Sequence, residues 1–440
     1  MRHAPPQTPP PAPLPAVSVP AEEFDPRVPG FVADPYPAYA RLRARDPLPF
    51  VEATGDWWAL RHADCVRVLS EECFVKGPRT EPELPPAFAH LPRLGASMLA
   101  SDPPDHTRLR ALVNRAFTPR VVEHLRPRIQ AIAGTLLDAI TARGRGRPGS
   151  ARSGSTCAAA SDAGSDAGGG SALELMEDFA FPLPAIVIAE MLGVPPADRE
   201  RFQGWSRRVV QLLDGTQPEE VRRDGWRAHL ELLDYFDRLI RERRHGGPGN
   251  LIAELVAAEE DGDRLSADEV LRMCSLLLTA GHETTTHLIG VGTLTLLQHP
   301  AQWRLLREHP ELAPSAVEEL LRFSPPVQID GRVAAVDVEL GGRRIAAGQW
   351  VLTIIGAANR DPEVFAHPER LDLTRTRNPH LAFGRGIHFC LGAPLARLEA
   401  QIAFTELSRR LPALRLDAAA GPQWGTNTVI RGLRSLPLRF

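Results

Sequence analysis

Apolar residues recur at helical spacing over most of this chain and alternate with polar ones in only a few short runs. The first helical pattern is YPAYARLRAR. A strand-like stretch follows, LPFVEATGDWWALR, in which Gly55-Asp56 supplies a turn. Helical periodicity holds from Pro104 to Arg143 and again, helix after helix, from 176 to 323. Short β patterning returns in GRVAAVDVELGGRRIAAGQWVLTI, helix resumes after Cys390, and TNTVIRGLRSLPLRF reads as a closing turn and strand. The pattern predicts a mainly α protein with a minor β component. Two stretches have no period. Residues 1–22 are proline-rich and expected to be disordered. Residues 144–171 are almost all small, with scattered charge, and cannot bury enough apolar surface to offset their ordering entropy. The second is read as a flexible insertion within a single domain spanning 23–440, and Cys157 inside it as an incidental thiol.

One helical pattern breaks its own rule. LSADEVLRMCSLLLTAGHETTTHLIGVGTLTLLQHP opens with a capping box, Ser266 and Glu269, and stops at His299-Pro300. A helix from 267 to 298 would be about 48 Å long, and its apolar content predicts burial. Its middle, AGHETTT, instead concentrates Gly281, three threonines and the carboxylate of Glu283. Gly and Thr weaken a helix, and Thr284 can turn its hydroxyl back to the carbonyl of Ala280. On an arbitrary helix such residues mark a polar face touching solvent. At the centre of a buried one they point to a functional groove, with an acid beside a hydroxyl to deliver protons.

Two further groups of charge have a plain reading and a sharper one. Glu319 and Arg322 in AVEELLRFSPP share a helical face, as a surface salt bridge would. In DPPDHTRLRALVNRAF, His106 and Arg110 share one face, while Arg108 and Arg115 lie on the opposite side. The first face could grip an internal anion and the second face solvent. LAFGRGIHFCLGAPLARLEA sets Cys390 in a glycine-rich loop before an apolar helix, with no second cysteine nearby.

Composition narrows the classes. A net charge of -3 argues against a nucleic-acid binder. Five scattered cysteines are no disulfide framework and suit a reducing compartment. No run of about 18 apolar residues suggests a membrane span, and the N-terminus lacks a signal-peptide core. A soluble cytoplasmic protein, most simply a monomer, is expected. Lys76 is the only lysine, which the alanine and proline richness explains as compositional bias.

FGRGIHFCLG resembles the haem-binding loop of the cytochrome P-450 enzymes, the haem-thiolate monooxygenases, with Phe383, Gly386, His388, Cys390 and Gly392 at the family's offsets. Ala280-Gly281-His282-Glu283-Thr284 is similar to the family's central-helix signature, and Glu319 and Arg322 to its Glu-x-x-Arg. The resemblance covers about 30–440 apart from 144–171. It implies the cytochrome P-450 fold, with haem b (iron protoporphyrin IX) between the long central helix and the cysteine-loop helix. It makes Cys390 the axial thiolate, with Phe383 packed beside it and Gly386 and Gly392 letting backbone approach porphyrin and sulfur. It assigns the propionates to His106, Arg110, Arg332 and His388, and completes a structural triad with Arg370. Thr284 and Glu283 would steady dioxygen and relay protons.

The implied reaction is hydroxylation or epoxidation of a hydrophobic small molecule with O2, in secondary metabolism. The substrate would lie against Leu277, Ala280, Thr284, Val327, Ile329, Val429 and Ile430, under a lid from the 74–100 loop and the helices around 197–245. Electrons would come from an acidic ferredoxin served by an NAD(P)H-dependent reductase, docking on Arg108, Arg115, Arg385 and Arg397. The rival readings are a peroxide-dependent haem-thiolate fatty-acid hydroxylase and a haem-binding protein without turnover. A substrate tethered to a carrier protein is a further variant.

Overall fold

The structure, a computed structural model, describes residues 18–28, 30–77, 97–145, 171–243 and 251–440, except 253, 254, 256–258, 261 and 262. Its framework is the central helix, Ala267–Gln298, whose capping box forms as expected: Ser266 accepts the Glu269 N–H while Glu269 takes the Ser266 N–H. Around it pack the helices Pro182–Leu192, Arg199–Val209, Glu219–Arg243 and Ala393–Arg410.

The central helix serves two cores. From Val270 to Leu278 it is buried with the helices 199–209 and 219–243. From Leu288 to Leu296 it is buried with the helices 126–145, 313–323 and 393–410. The polar segment Gly281–His287 lies between these two apolar bodies, where the apolar periodicity is interrupted.

A six-stranded sheet lies to one side, in the order Ser18–Val19, Phe50–Val51, Asp56–Ala59, Trp350–Ile354, Ile329–Ala334, Phe74–Val75. Strand 329–334 pairs antiparallel with both its neighbours, so that Val75 stands opposite Val333 and Val351 opposite Arg332. A smaller sheet joins Arg415–Leu416, Pro437–Arg439 and Ala172–Glu174. Mainly α with minor β therefore describes the fold.

Both unpatterned segments end differently from expectation. Residues 1–17 lie outside the described residues, but Ser18–Val19 is an ordered parallel strand on Phe50–Val51, with Val19 fully buried. The helix expected to stop near Arg143 runs to Arg145, and Ser171 exchanges two backbone hydrogen bonds with Phe440. The part of the insertion between them lies outside the described residues, as does 78–96 of the expected lid.

Candidate haem-thiolate site

Cys390 stands at the end of a short turn. Its backbone N–H donates to the Phe383 carbonyl (2.9 Å) and Phe389 N–H to Gly386 (3.1 Å), which fixes the loop before the helix Ala393–Arg410 begins. Burial raises the Cys390 thiol, while the amides of Gly392 and Ala393 and the guanidinium groups of Arg110 and Arg397 favour the thiolate. A sulfur supplied with amide donors and cations is prepared to be a metal-bound anion. Phe383 packs beside the loop, and its ring lies under Arg397 at 4.5 Å.

Gly386 is required for a different reason from the one expected. Its φ is +71°, and a Cβ there would lie 2.4 Å from the Leu69 carbonyl oxygen. Protein backbone at the end of helix His62–Ser70 sets the requirement, whereas Gly392 has no protein atom within 4 Å of a Cβ and an ordinary φ of -80°.

The expected anion-binding residues converge. His106 and His388 approach at 4.2 Å between ring centroids, and strand 329–334 brings Arg332. Among the described residues, both ring nitrogens of His106, Nε2 of His388 and Nη2 of Arg332 are buried without a hydrogen-bond partner. His388 is pushed down to about 3 by burial and by Arg332 and Lys76, and His106 is lowered by burial and Arg110. Arg110, half-buried, bonds Asn114 (3.1 Å). Buried donors left unpartnered beside fixed cations are costly and match what an anion would satisfy. The residues present fit a haem with its carboxylates here and its iron on Cys390.

On the central helix, Ala280 is exposed and Thr284 half-buried, amid buried neighbours. Thr284 Oγ1 donates to the Ala280 carbonyl (3.1 Å), as its sequence position predicted. Glu283 is buried, with His282 Nε2 at 3.7 Å and His287 Nε2 at 3.8 Å from its oxygens. Burial raises Glu283 to about 7, against an opposing pull from Arg207, and lowers both histidines to about 4. Burial thus keeps this carboxyl's titration close to neutral pH, beside imidazoles held neutral.

The Glu-x-x-Arg pair is not a surface bridge. Glu319 and Arg322 are fully buried and joined by two parallel bonds of 2.8 Å. Arg370 is a correction: its side chain is exposed and it gives only its carbonyl, to Arg322 Nη2 (3.0 Å). Arg375 completes the triad, Nε to Glu319 Oε2 at 3.0 Å, with Asn378 and the Asp372 N–H as further donors.

The expected docking arginines divide. Arg115 and Arg385 are exposed. Arg108 pairs with Glu269 at the start of the central helix. Arg397 grips Glu318 through two bonds (2.7 and 2.8 Å), and with His380 it holds that carboxyl down at about 2 against the effect of burial. Both of these arginines are therefore tied to the framework as well, with side chains 35% and 31% exposed. Among the expected substrate contacts, Val327 and Ile430 form a β-bridge and Gln328 N–H donates to Val429 (2.9 Å), so that strand and closing segment meet. Ile329 and Val429 pack in one cluster, but Leu277 belongs to the helical core.

Sequence reasoning missed Lys76, Asp330, Arg375 and Glu399. Glu399, inside the apolar face of helix 393–410, is buried, its carboxyl raised well above the usual range by burial, with the Thr285 hydroxyl nearby. A lone carboxylate within an apolar helical stripe was its available signal.

A cysteine loop, a ring of anion-seeking donors and an acid-and-hydroxyl helix together define a haem-thiolate oxidoreductase. Residues 209–412 match the family model described as Cytochrome P450. The chain is 42% identical over 401 residues to cytochrome P450 CYP107DY1 of Priestia megaterium, covering 87% of this chain and 89% of that one. It is also 42% identical over 422 residues to cytochrome P450 monooxygenase PikC of Streptomyces venezuelae, covering 93% and 92%. A solved structure of P450BioI in complex with a hexadec-9Z-enoic acid-ligated acyl carrier protein superposes with a TM-score of 0.81 at 35% identity, covering 93% of this chain and 99% of that one. The chain belongs to the cytochrome P450 family and is a haem-dependent monooxygenase that takes O2, a small-molecule substrate and electrons from a redox partner. Among the described residues, no helix is long and apolar enough to cross a membrane.

Proposed function

We propose that this protein hydroxylates or epoxidises a hydrophobic small molecule of secondary metabolism, using haem b and two electrons from a ferredoxin. The haem, when bound, supplies dioxygen activation, which an electron-rich cysteine ligand favours. The observation that carries the reading is Glu283. Its buried carboxyl, raised to about 7, can both hold and release a proton at working pH, one residue before Thr284 on the same helix. Proton transfer by a positioned group is worth roughly 10²–10⁴-fold. Thr284 orients the proton and Glu283 supplies it, while the apolar cores on both sides of Gly281–His287 limit water. The apolar residues Val327, Ile329, Val429 and Ile430 favour an apolar substrate. The names of PikC and of the polyketide biosynthesis enzyme PksS of Bacillus subtilis, 38% identical over 428 residues, support a place in natural-product synthesis. The acyl carrier protein held by P450BioI in its solved complex supports testing carrier-bound as well as free substrates.

Purified protein given NAD(P)H, reductase and ferredoxin is expected to consume O2 with product formed in step, and to do so poorly with hydrogen peroxide alone. The opposite preference overturns the reading. Glu283→Gln is expected to lower coupled turnover by about 10²-fold or more and to flatten its pH profile. In the wild type the protonated carboxyl is depleted as pH rises through about 7, so turnover should fall over that range. The same group links to stability with a definite sign. Its contribution is greatest below the ordinary carboxylate value of about 4.3 and is lost as pH rises through about 7. A denaturation series across that window checks it, with Glu283→Gln removing the slope.

Docking of an acidic ferredoxin is assigned to Arg115 and Arg385, the exposed members of the expected set. Reversing both to Glu should slow reduction by about tenfold at low salt, an effect fading as ionic strength rises. A salt-insensitive reduction rate removes this surface from consideration.

A further inference from the structure

The single lysine of this chain is not a compositional residue. Lys76 is 3% exposed, and its Nζ donates to Asp330 Oδ1 at 2.9 Å across 254 residues of sequence. Its position is set by local structure. Strand Phe74–Val75 pairs antiparallel with 329–334, Val75 opposite Val333, so the next residue, Lys76, continues the register toward Arg332. The chain then turns at Gly77, whose φ is +71° and where a Cβ would lie 2.8 Å from Val333 Cγ2. Only glycine passes so close to the strand in that conformation. Asp102 accepts the Lys76 backbone N–H at 2.9 and 3.1 Å, holding the residue from the other side.

Asp330 is fully served. Oδ1 accepts Lys76 Nζ and the Gly331 N–H (2.8 Å), and Oδ2 accepts Arg332 Nη1 (2.8 Å). Arg332 Nη1 also donates to the Gly331 carbonyl (2.8 Å), while its Nη2 stays buried with no hydrogen-bond partner among the described residues. An aspartate beside an arginine ordinarily draws in both guanidinium arms as a fork. Here an ammonium occupies one carboxylate oxygen, and the second arm of the arginine is left over. That arm belongs to the same cluster as the unpartnered nitrogens of His106 and His388.

We propose that Lys76 is a cofactor-positioning residue: by holding Asp330, it keeps the Nη2 arm of Arg332 available to a haem propionate. The proposal rests on the haem-thiolate reading above. Lys76 acts through Asp330, not on the haem itself, which separates it from the four residues assigned to the propionates. A neutral side chain at 76 leaves Asp330 short of a donor, and the carboxylate then takes both arms of Arg332.

The test is transfer of haem from the ferric holoprotein to excess apomyoglobin, followed by the Soret band. Lys76→Met should accelerate transfer about tenfold or more, the scale of one charged hydrogen bond, and Lys76→Arg should stay within about twofold of wild type. In an Asp330→Asn background, where no carboxylate competes for Arg332, Lys76→Met should change the rate by less than about twofold. If Lys76→Met leaves transfer unchanged, or accelerates it equally with and without Asp330, the proposal is overturned. Should Lys76→Met purify without haem, Lys76→Arg decides. Haem retained supports the charge argument and haem lost overturns it. The carbon-monoxide spectrum of the wild type is recorded first, because absence of a thiolate-bound haem there removes the underlying reading along with this one.

Discussion

Cys390→Ser is expected to abolish the red-shifted band of the reduced, carbon-monoxide-bound protein and to bring NAD(P)H-driven oxygenation down to background. A serine hydroxyl is a far weaker anion than a thiolate, and the donation that favours O–O cleavage goes with the sulfur. The fold should survive. The loop's bonds from Cys390 N–H to Phe383 and from Phe389 N–H to Gly386 run through backbone, and the residue is only half-buried. Far-ultraviolet circular dichroism unchanged beside a lost thiolate signature is therefore the expected pair of results. A variant that keeps the red-shifted band would mean that another residue ligates the iron. Two of the other described cysteines offer poor substitutes. Cys65 and Cys274 are fully buried, and burial holds Cys274 up at about 12.

Glu319→Gln carries the second large effect, on stability. Glu319 accepts two bonds from Arg322 and one each from Arg375, Asn378 and the Asp372 amide, and Glu319 and Arg322 are themselves at zero exposure. Removing the charge leaves Arg322 as an uncompensated buried cation, which costs about 3–5 kcal/mol. Loss of soluble, haem-loaded protein or an early urea transition would report it. The neighbouring arginines give the contrast. Arg375→Ala should cost about 1–3 kcal/mol, whereas Arg370→Ala should stay within about 0.5 kcal/mol, since its exposed side chain contributes nothing to the triad. Equal costs at the two positions would contradict the arrangement.

That contrast also shows where reading the sequence works and where it stops. The central helix was legible to the residue, because its ends carry their own chemistry: a capping box at Ser266 and a proline at 300. Thr284 and Glu283 were legible because polar residues inside an apolar helix violate a period that can be counted. Arg370 and Arg375 sit five residues apart in an irregular stretch with no period to choose between them, and only the folded path of 359–378 around Glu319 decides. Lys76 was opaque for a related reason. Its partner is distant in sequence, and the register that joins them belongs to a two-residue strand, too short to leave a pattern. Arg108 and Arg397 were placed on plausible faces, yet helix geometry gives no account of a carboxylate arriving from another element, as Glu269 and Glu318 do.

The proposed propionate cradle draws on a helix at 106–110, a sheet strand at 332 and a loop at 388, with a strand end at 76 behind it. Apart from His106 and Arg110 on one helix, no two of these pieces are neighbours in sequence, so bringing them together closes long stretches of chain. Such contacts are entropically late in folding. Cofactor capture should therefore be a finishing event and not a seed: the apoprotein folds most of its helices first, and haem then locks the remaining sheet and loop in place by mass action. Cells making this protein faster than they make haem would accumulate a helical but incompletely closed chain.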